Sequence, residues 1–532
     1  LVEGRDESGT PFSRVRHQHP SPAPRQVGGP VNFLPLAERE LRVVSRRKGT
    51  YWIRCGAALL SFLFLLPALA LAAARMQRSG TGASVFNWMK WYGVVTCALA
   101  GVFLGADSIA EERREGTLGF LFLTNLKSHD VVLGKFLGAS LNAFYGLLAM
   151  IPVLALCVLG GGVTGGEFWR TSVALVNTLF FSTALAILIS ARVKSENRPT
   201  LLALGLILGV WIGGEIAFQF STTATAPAAG RILFWLSMAS PGQAFSLASA
   251  ASYLYRSADF WRSLAVSNAA GWVFLGMAAW RLDFSIDGQG RRRPRERKPR
   301  DRKLLESSPI AWLLDDSAGL RIGVWLLAGL GSIVALFCGS HKIGPMAGYV
   351  MGPFYFLLKV LFATRACYFF AEGRRSGALE LLRTTPLAGK QMITEQWVAL
   401  RRIFLYPLGL LFLGQIVATI LPSRGDFDPI IVFLLFYKLP TLILDFFAIG
   451  WCGMWIALVC RKPSGAVWLT IVLLVLAPMA LLCVPSLLID AILIRVARDK
   501  VEKHFAAFLA VRREETGDYR AMVRGQAPVG QV

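Results

Sequence analysis

Runs of about twenty apolar residues restrict this chain more than any single motif, because a helix needs that length to cross a hydrocarbon core. They lie at Ile53–Ala74, Trp91–Ile109, Val132–Gly160, Phe168–Ala191, Leu201–Phe220 and Trp261–Leu282, and then at Ile322–Gly339, Ala347–Ala371, Ile403–Leu421, Ile430–Cys460 and Ala466–Ile494. The composition agrees: 54% of the 532 residues are hydrophobic and 17% are charged, against about 25% charged in soluble domains. The expected fold is all-α, a polytopic bundle of transmembrane helices. The last run holds 29 residues, long for one span and short for two. A bend near Pro485 gives two short spans and twelve in all; a single span gives the alternative of eleven.

The net charge of +23 sits mainly between the runs. That distribution fits a membrane protein with its basic loops inside, on anionic lipid, and not a nucleic-acid binder. Arg39, Arg42, Arg46, Arg47 and Lys48 precede the first run and place the N-terminus inside. Alternation then brings Arg113, Arg114, Lys127, Lys135, Arg192, Lys194, Arg374, Arg375, Arg461 and Lys462 to the same side. Both termini are expected there. The eight cysteines lie in or beside apolar runs without a C-x-x-C, so buried free thiols are expected, and the five scattered histidines suggest no metal site. Residues 1–34 are polar, contain no apolar stretch of signal-peptide type, and read as a tail.

An internal duplication organises the rest. Glu111–Lys127 and Glu372–Ala388 align without gaps. The identical pairs are Glu111/Glu372, Arg113/Arg374, Arg114/Arg375, Gly116/Gly377, Leu118/Leu379, Leu121/Leu382, Thr124/Thr385 and Leu126/Leu387, eight of 17 positions. Each copy follows the second span of its group. Pro35–Lys48 and Pro309–Arg321, before the first and seventh runs, read as helices lying in the interface. The two halves share one orientation and form a parallel repeat. The organisation expected is a tail over 1–34, a first half over 35–284, a basic Pro-rich linker over 285–307, a second half over 308–498 and a polar tail over 499–532. Ser221–Arg262 reads as an outer re-entrant or interfacial insertion found in the first half only.

The copy Glu372–Leu387 follows the pattern E-x-R-x-x-G-x-L-E-L-L-x-T-x-P-L, and in this it resembles the permeases of ABC-2 type ABC exporters. Glu111–Leu126 is a looser match, with Gly119 for the usual Glu and Asn125 for the usual Pro. The resemblance implies an inner-membrane permease whose interfacial elbow helices precede each half. It also implies that the duplicated segments are coupling helices seated on separate ATP-binding subunits, two copies for two segments. The coupling residues would be Glu111, Arg113, Arg114, Gly116, Leu118 and Leu121 in the first half. In the second they would be Glu372, Arg374, Arg375, Gly377, Leu379, Glu380, Leu382, Thr385 and Pro386. Read physically, the spaced leucines form an apolar ridge with a charged rim, and Gly116 and Gly377 permit a tight turn before it. Such a helix suits a groove on a partner; the other reading is packing beneath its own spans. No G-x-x-x-x-G-K-[ST] or LSGGQ-like signature occurs, so the chain is expected to hold no nucleotide or other cofactor and to hydrolyse no ATP, with Mg-ATP on the partner.

Ionisable residues within spans mark functional or structural sites. Lys359 and Asp445 lie about 16 Å and 22 Å from the outer ends at ~1.5 Å per residue, and they are read as a pair with a structural or a pathway role; Glu215 lies nearer a span end. The Gly205, Gly209, Gly213, Gly214 face reads as a surface for close helix packing. An ion- or proton-coupled carrier using these charges is an alternative function, and a polytopic membrane enzyme is another. The carrier would not need two amphipathic cytosolic copies. The enzyme would need converging His, Asp, Glu or Cys groups that the sequence does not display.

Overall fold

The computed structural model describes residues 81–115, 127–193, 198–223, 227–287, 318–340, 344–375, 389–420, 434–460, 463–476 and 487–503, with Gly377 and isolated residues between 38 and 65. Among these every regular element is helical and there is no strand. The first half contains α1 (Thr81–Glu115), α2 (Ser128–Leu159), α3 (Gly165–Arg192), α4 (Arg198–Thr223), α5 (Pro227–Met238), α6 (Pro241–Leu247) and α7 (Ala250–Asp287). The second contains α8 (Ala318–Ser340), α9 (Gly344–Arg375), α10 (Gly389–Ile420), α11 (Leu439–Val459, entered through a wider π-helical turn, Leu434–Lys438), α12 (Pro463–Ile471) and α13 (residues 487–503). Seven of these helices have segments long and apolar enough to cross a membrane, in α1, α2, α3, α7, α9, α10 and α11. Shorter apolar segments occupy α4, α5, α8 and α12. Most of the first run, Ile53–Ala74, lies outside the described residues, as do nearly all of the two interfacial segments. Glu38 and Arg42, one turn apart in the first of those, are helical and pair at 2.5 Å.

Small residues set the central crossing of each half. A Cβ added at Gly105 on α1 would meet the Ala186 Cβ of α3 at 2.9 Å, and one added at Gly101 would meet the Ser182 Oγ at 1.9 Å. In the second half the glycine changes sides. Gly453 on α11 lies against Ala366 on α9, where an added Cβ would sit 3.2 Å from the Ala366 Cβ. Ala366 occupies the repeat position of Gly105, so each half joins one glycine to one alanine at the same crossing. Close backbone approach of this kind replaces the hydrophobic drive that lipid does not supply between helices. Gly105→Val is expected to cost about 1–3 kcal/mol by overpacking, read as a lower unfolding temperature of the detergent-purified chain. Gly276→Ala on α7, where nothing lies within 4 Å, should be neutral or mildly stabilising.

The halves meet along a quasi-symmetric seam. α1 packs on α12 and α4 packs on α9. In repeat terms, the second and fifth spans of one half face the fifth and second spans of the other. Phe103 and Trp468 stack across the first of these contacts with ring centroids 5.8 Å apart. Buried side chains of both halves, among them Phe103, Leu204, Phe362 and Val467, belong to one continuous apolar core.

Two helical pieces are described in the C-terminal run, over residues 463–476 and 487–503. Thr470 on α12 lies beside Cys367 at 3.4 Å, so α12 runs away from the end where α11 finishes. On α13, Asp490 neighbours Asp445 and the Leu493 carbonyl neighbours the Cys452 thiol at 3.8 Å, so α13 runs alongside α11 in the same direction. The two described pieces therefore run in opposite directions. The insertion of the first half is likewise a short hairpin: α5 folds back on α4, and α6 packs on α7. The Ser263 hydroxyl of α7 holds the connecting turn by donating to the Met238 carbonyl at 3.1 Å.

Three glycines of α4 correct an expectation. Gly205, Gly209 and Gly213 face open space, and only Gly214 makes a close approach, to Ser240 of the α5–α6 turn. Spacing four residues apart places them on one face, but it carries no information about what that face meets.

Candidate functional site

The duplicated segments begin where α1 and α9 end. Residues 116–126, 376 and 378–388 lie outside the description, and with them Gly116, Leu118, Leu121, Leu379, Glu380, Leu382, Thr385 and Pro386. The side chains of Glu111, Arg114 and Arg375 are also outside it. What the structure does show is how each segment is anchored.

Near the end of α1, the Arg113 Nη2 donates to the Ala191 carbonyl at 3.0 Å. Near the end of α9, the Arg374 guanidinium donates to the Leu458 carbonyl. Arg113 and Arg374 are aligned repeat positions, and Ala191 and Leu458 are each the last residue but one of the fourth span, α3 and α11. The last carbonyls of a helix have no partner within it, and an arginine fork is suited to take one up. Both halves therefore make the same bond between the same two elements.

A second tie joins each second span to the helix that follows the segment. In the first half Lys135 of α2 pairs with Glu112 near the end of α1 at 2.5 Å. In the second half Gln396 of α10, at the position of Lys135, donates its amide to the Ala366 carbonyl of α9 at 2.8 Å, nine residues before that helix ends. The two ties differ in chemistry and in level along the helix. At the start of α2 the Asp130 carboxylate accepts the Lys127 amide at 3.2 Å, closing a helix-start cap beside the segment. Gly377 has φ +72°, a left-handed conformation that a side chain resists. Gly377→Val is expected to strain this turn by about 1–2 kcal/mol, and circular dichroism melting of the purified chain would report it, with Gly377→Asn the milder change.

The arginines are thus placed differently from a simple charged rim. Arg113 is half-buried and its guanidinium is engaged within the chain. Arg374 is exposed but is turned onto its own α11.

Lys359 of α9 and Asp445 of α11 are brought together as an ion pair with side chains 19% and 17% exposed. Asp490 of α13, 1% exposed, sets its carboxyl beside that of Asp445, with Lys359 close by. Lys438 lies over the Tyr355 ring at 5.3 Å, and the Tyr355 hydroxyl donates to the Gln415 Oε1 at 2.8 Å, extending the polar cluster towards α10. The repeat positions of Lys359 and Asp445 in the first half hold Ala98 and Thr178, so the cluster belongs to one half. Glu215 takes no part in this ion pair; it lies on α4 with its side chain exposed.

Sequence reading missed two features. Asp490 is an acid inside an apolar run, a visible signal obscured by the uncertain course of that run. The other is the opening of the fifth span: Arg198-Pro199-Thr200 at the start of α4 and Lys462-Pro463-Ser464 at α12 match in pattern, and both helices then line the seam.

A helical bundle of this kind, with spanning segments and two matched halves, defines a multi-pass membrane protein. Residues 34–285 match the model of the ABC-2 family transporter proteins. The probable ABC transporter permease protein NosY of Pseudomonas aeruginosa is 27% identical over 216 residues, which cover 37% of this chain and 75% of that protein. The family match spans just under half of the chain, and together the two likenesses support a membrane permease of an ABC transporter.

Proposed function

We propose that the chain is the translocating subunit of an ABC exporter in the cytoplasmic membrane, with its termini on the cytosolic side. Two separate ATPase subunits dock on Glu111–Leu126 and Glu372–Leu387. The observation that carries this reading is the matched anchoring of the two segments, Arg113 to the Ala191 carbonyl and Arg374 to the Leu458 carbonyl. A segment that merely filled space would not need the same bond to the same helix end in both halves. The pathway runs along the seam between α1 and α12 and between α4 and α9, where the halves can part without breaking either one. Mg-ATP binds the partner, and the chain itself holds no cofactor and catalyses no reaction.

The Lys359–Asp445–Asp490 cluster is the observation a coupled carrier would draw on. Its position between α9, α11 and α13 of one half makes it a tie within that half. Purified chain in lipid vesicles should show no saturable ATP hydrolysis, and hydrolysis should appear on adding the cognate ATPase. Saturable turnover by the chain alone would contradict this division of labour.

A further inference from the structure

Arg113 and Arg374 have a use beyond contact with a partner. Each stands three residues before the glycine that opens its segment, Gly116 or Gly377. Each reaches sideways to the end of the fourth span of its half. From there the chain passes through a short connection into the fifth span: residues 194–197 lead from α3 to α4, and residues 461–462 from α11 to α12. α4 and α12, like α1 and α9, meet the opposite half. α1 packs along α3 and α4, and α9 packs along α11 and α12. With the guanidinium bonded to the helix end, a displacement of the docking segment loads that end directly as well as through the packed faces.

We propose that Arg113 and Arg374 are positioning residues: they tether the cytosolic segment to the end of the fourth span, so that movement at the ATPase reaches the seam helices. This rests on the proposed function, and the test separates the two. A tether made by one bond to a charged donor is worth roughly a factor of ten in local opening. Lysine, with a single compact charge, replaces the planar fork poorly.

The amides that close these helix ends supply the first readout. Val193 donates to the Ile189 carbonyl at 3.0 Å and Cys460 to the Ile456 carbonyl at 2.8 Å. Hydrogen exchange would be measured on the full chain in nanodiscs, without any ATPase. In the double variant Arg113→Gln, Arg374→Gln, peptides ending at Val193 and Cys460 should exchange about tenfold faster. The Lys variants should fall between. Arg192→Gln, which removes an exposed arginine from the same helix end, should leave exchange close to wild type. The second readout is the ATPase complex. The double variant should lower the maximal ATP turnover of the complex by more than it lowers the apparent affinity for the ATPase.

Unchanged exchange at both helix ends would overturn the tether. Faster exchange with undiminished turnover would reduce it to a structural bond and overturn the positioning role. Loss of ATPase binding with unchanged exchange would make the arginines docking residues. Should the wild-type chain recruit no ATPase, the proposed function fails, and the exchange measurement still decides whether the tether exists; the single Arg113→Lys variant serves if the double variant does not fold.

Discussion

Lys359→Ala is expected to cost most of the folded yield of this chain. The change leaves Asp445 and Asp490 side by side with their principal counter-charge gone. Removing one member of a largely buried ion pair costs about 3–5 kcal/mol, a large part of the stability of a typical protein domain. The third carboxyl makes the series asymmetric. Asp445→Ala should be milder, because Asp490 remains to face Lys359. The double change Lys359→Ala, Asp445→Ala removes one charge of each sign and should fall between the two. Monodisperse protein recovered by size exclusion after solubilisation gives the ranking. Equal losses in both single variants would show that Asp490 carries no share of the charge, and additive losses in the double variant would show that the pair is uncoupled.

The second large effect concerns docking. Leu379→Asp or Leu382→Asp places a charge on the apolar ridge proposed for the second segment. Burying an unpaired carboxylate against an apolar groove costs several kcal/mol, so affinity for the ATPase should fall by about a hundredfold, equivalent to ~2.7 kcal/mol. Membrane insertion should be unaffected, since the segment is cytosolic in this account. Leu118→Asp and Leu121→Asp should act in the same way in the first half, less severely because that copy follows the family pattern less closely. Quantitative co-purification of the ATPase with each variant reads the effect. Wild-type retention by ridge variants in both halves would make the segments packing elements.

The sequence and the structure agree where one physical rule dominates. Long apolar runs such as Val132–Gly160 and Phe168–Ala191 became α2 and α3, because a helix satisfies all its backbone groups within one segment of that length. The repeat was legible as identities at Arg113/Arg374 and Gly116/Gly377, and Gly377 does adopt the left-handed turn that glycine allows. The acceptors of the two arginines were not legible, because Ala191 and Leu458 use main-chain carbonyls and any residue type offers one. For the same reason the Gly105–Ala186 and Ala366–Gly453 crossings escape a residue-by-residue comparison: the glycine sits on opposite partners in the two halves, and only the packed pair is alike. The α4 glycines mislead in the opposite sense, since small residues permit contact without requiring it. Lys359 and Asp445 were paired from their depth in two separate runs. Asp490 needed the path of α13, which depends on how the chain turns after α12.

The central claim is that one chain supplies both halves of the permease and therefore two ATPase positions. Native mass spectrometry of the complex purified in nanodiscs tests it most directly. The account predicts one copy of this chain with two ATPase subunits. Two copies of the chain with two ATPases, or one with one, would show that only a single segment of each chain docks, and would contradict the paired arrangement.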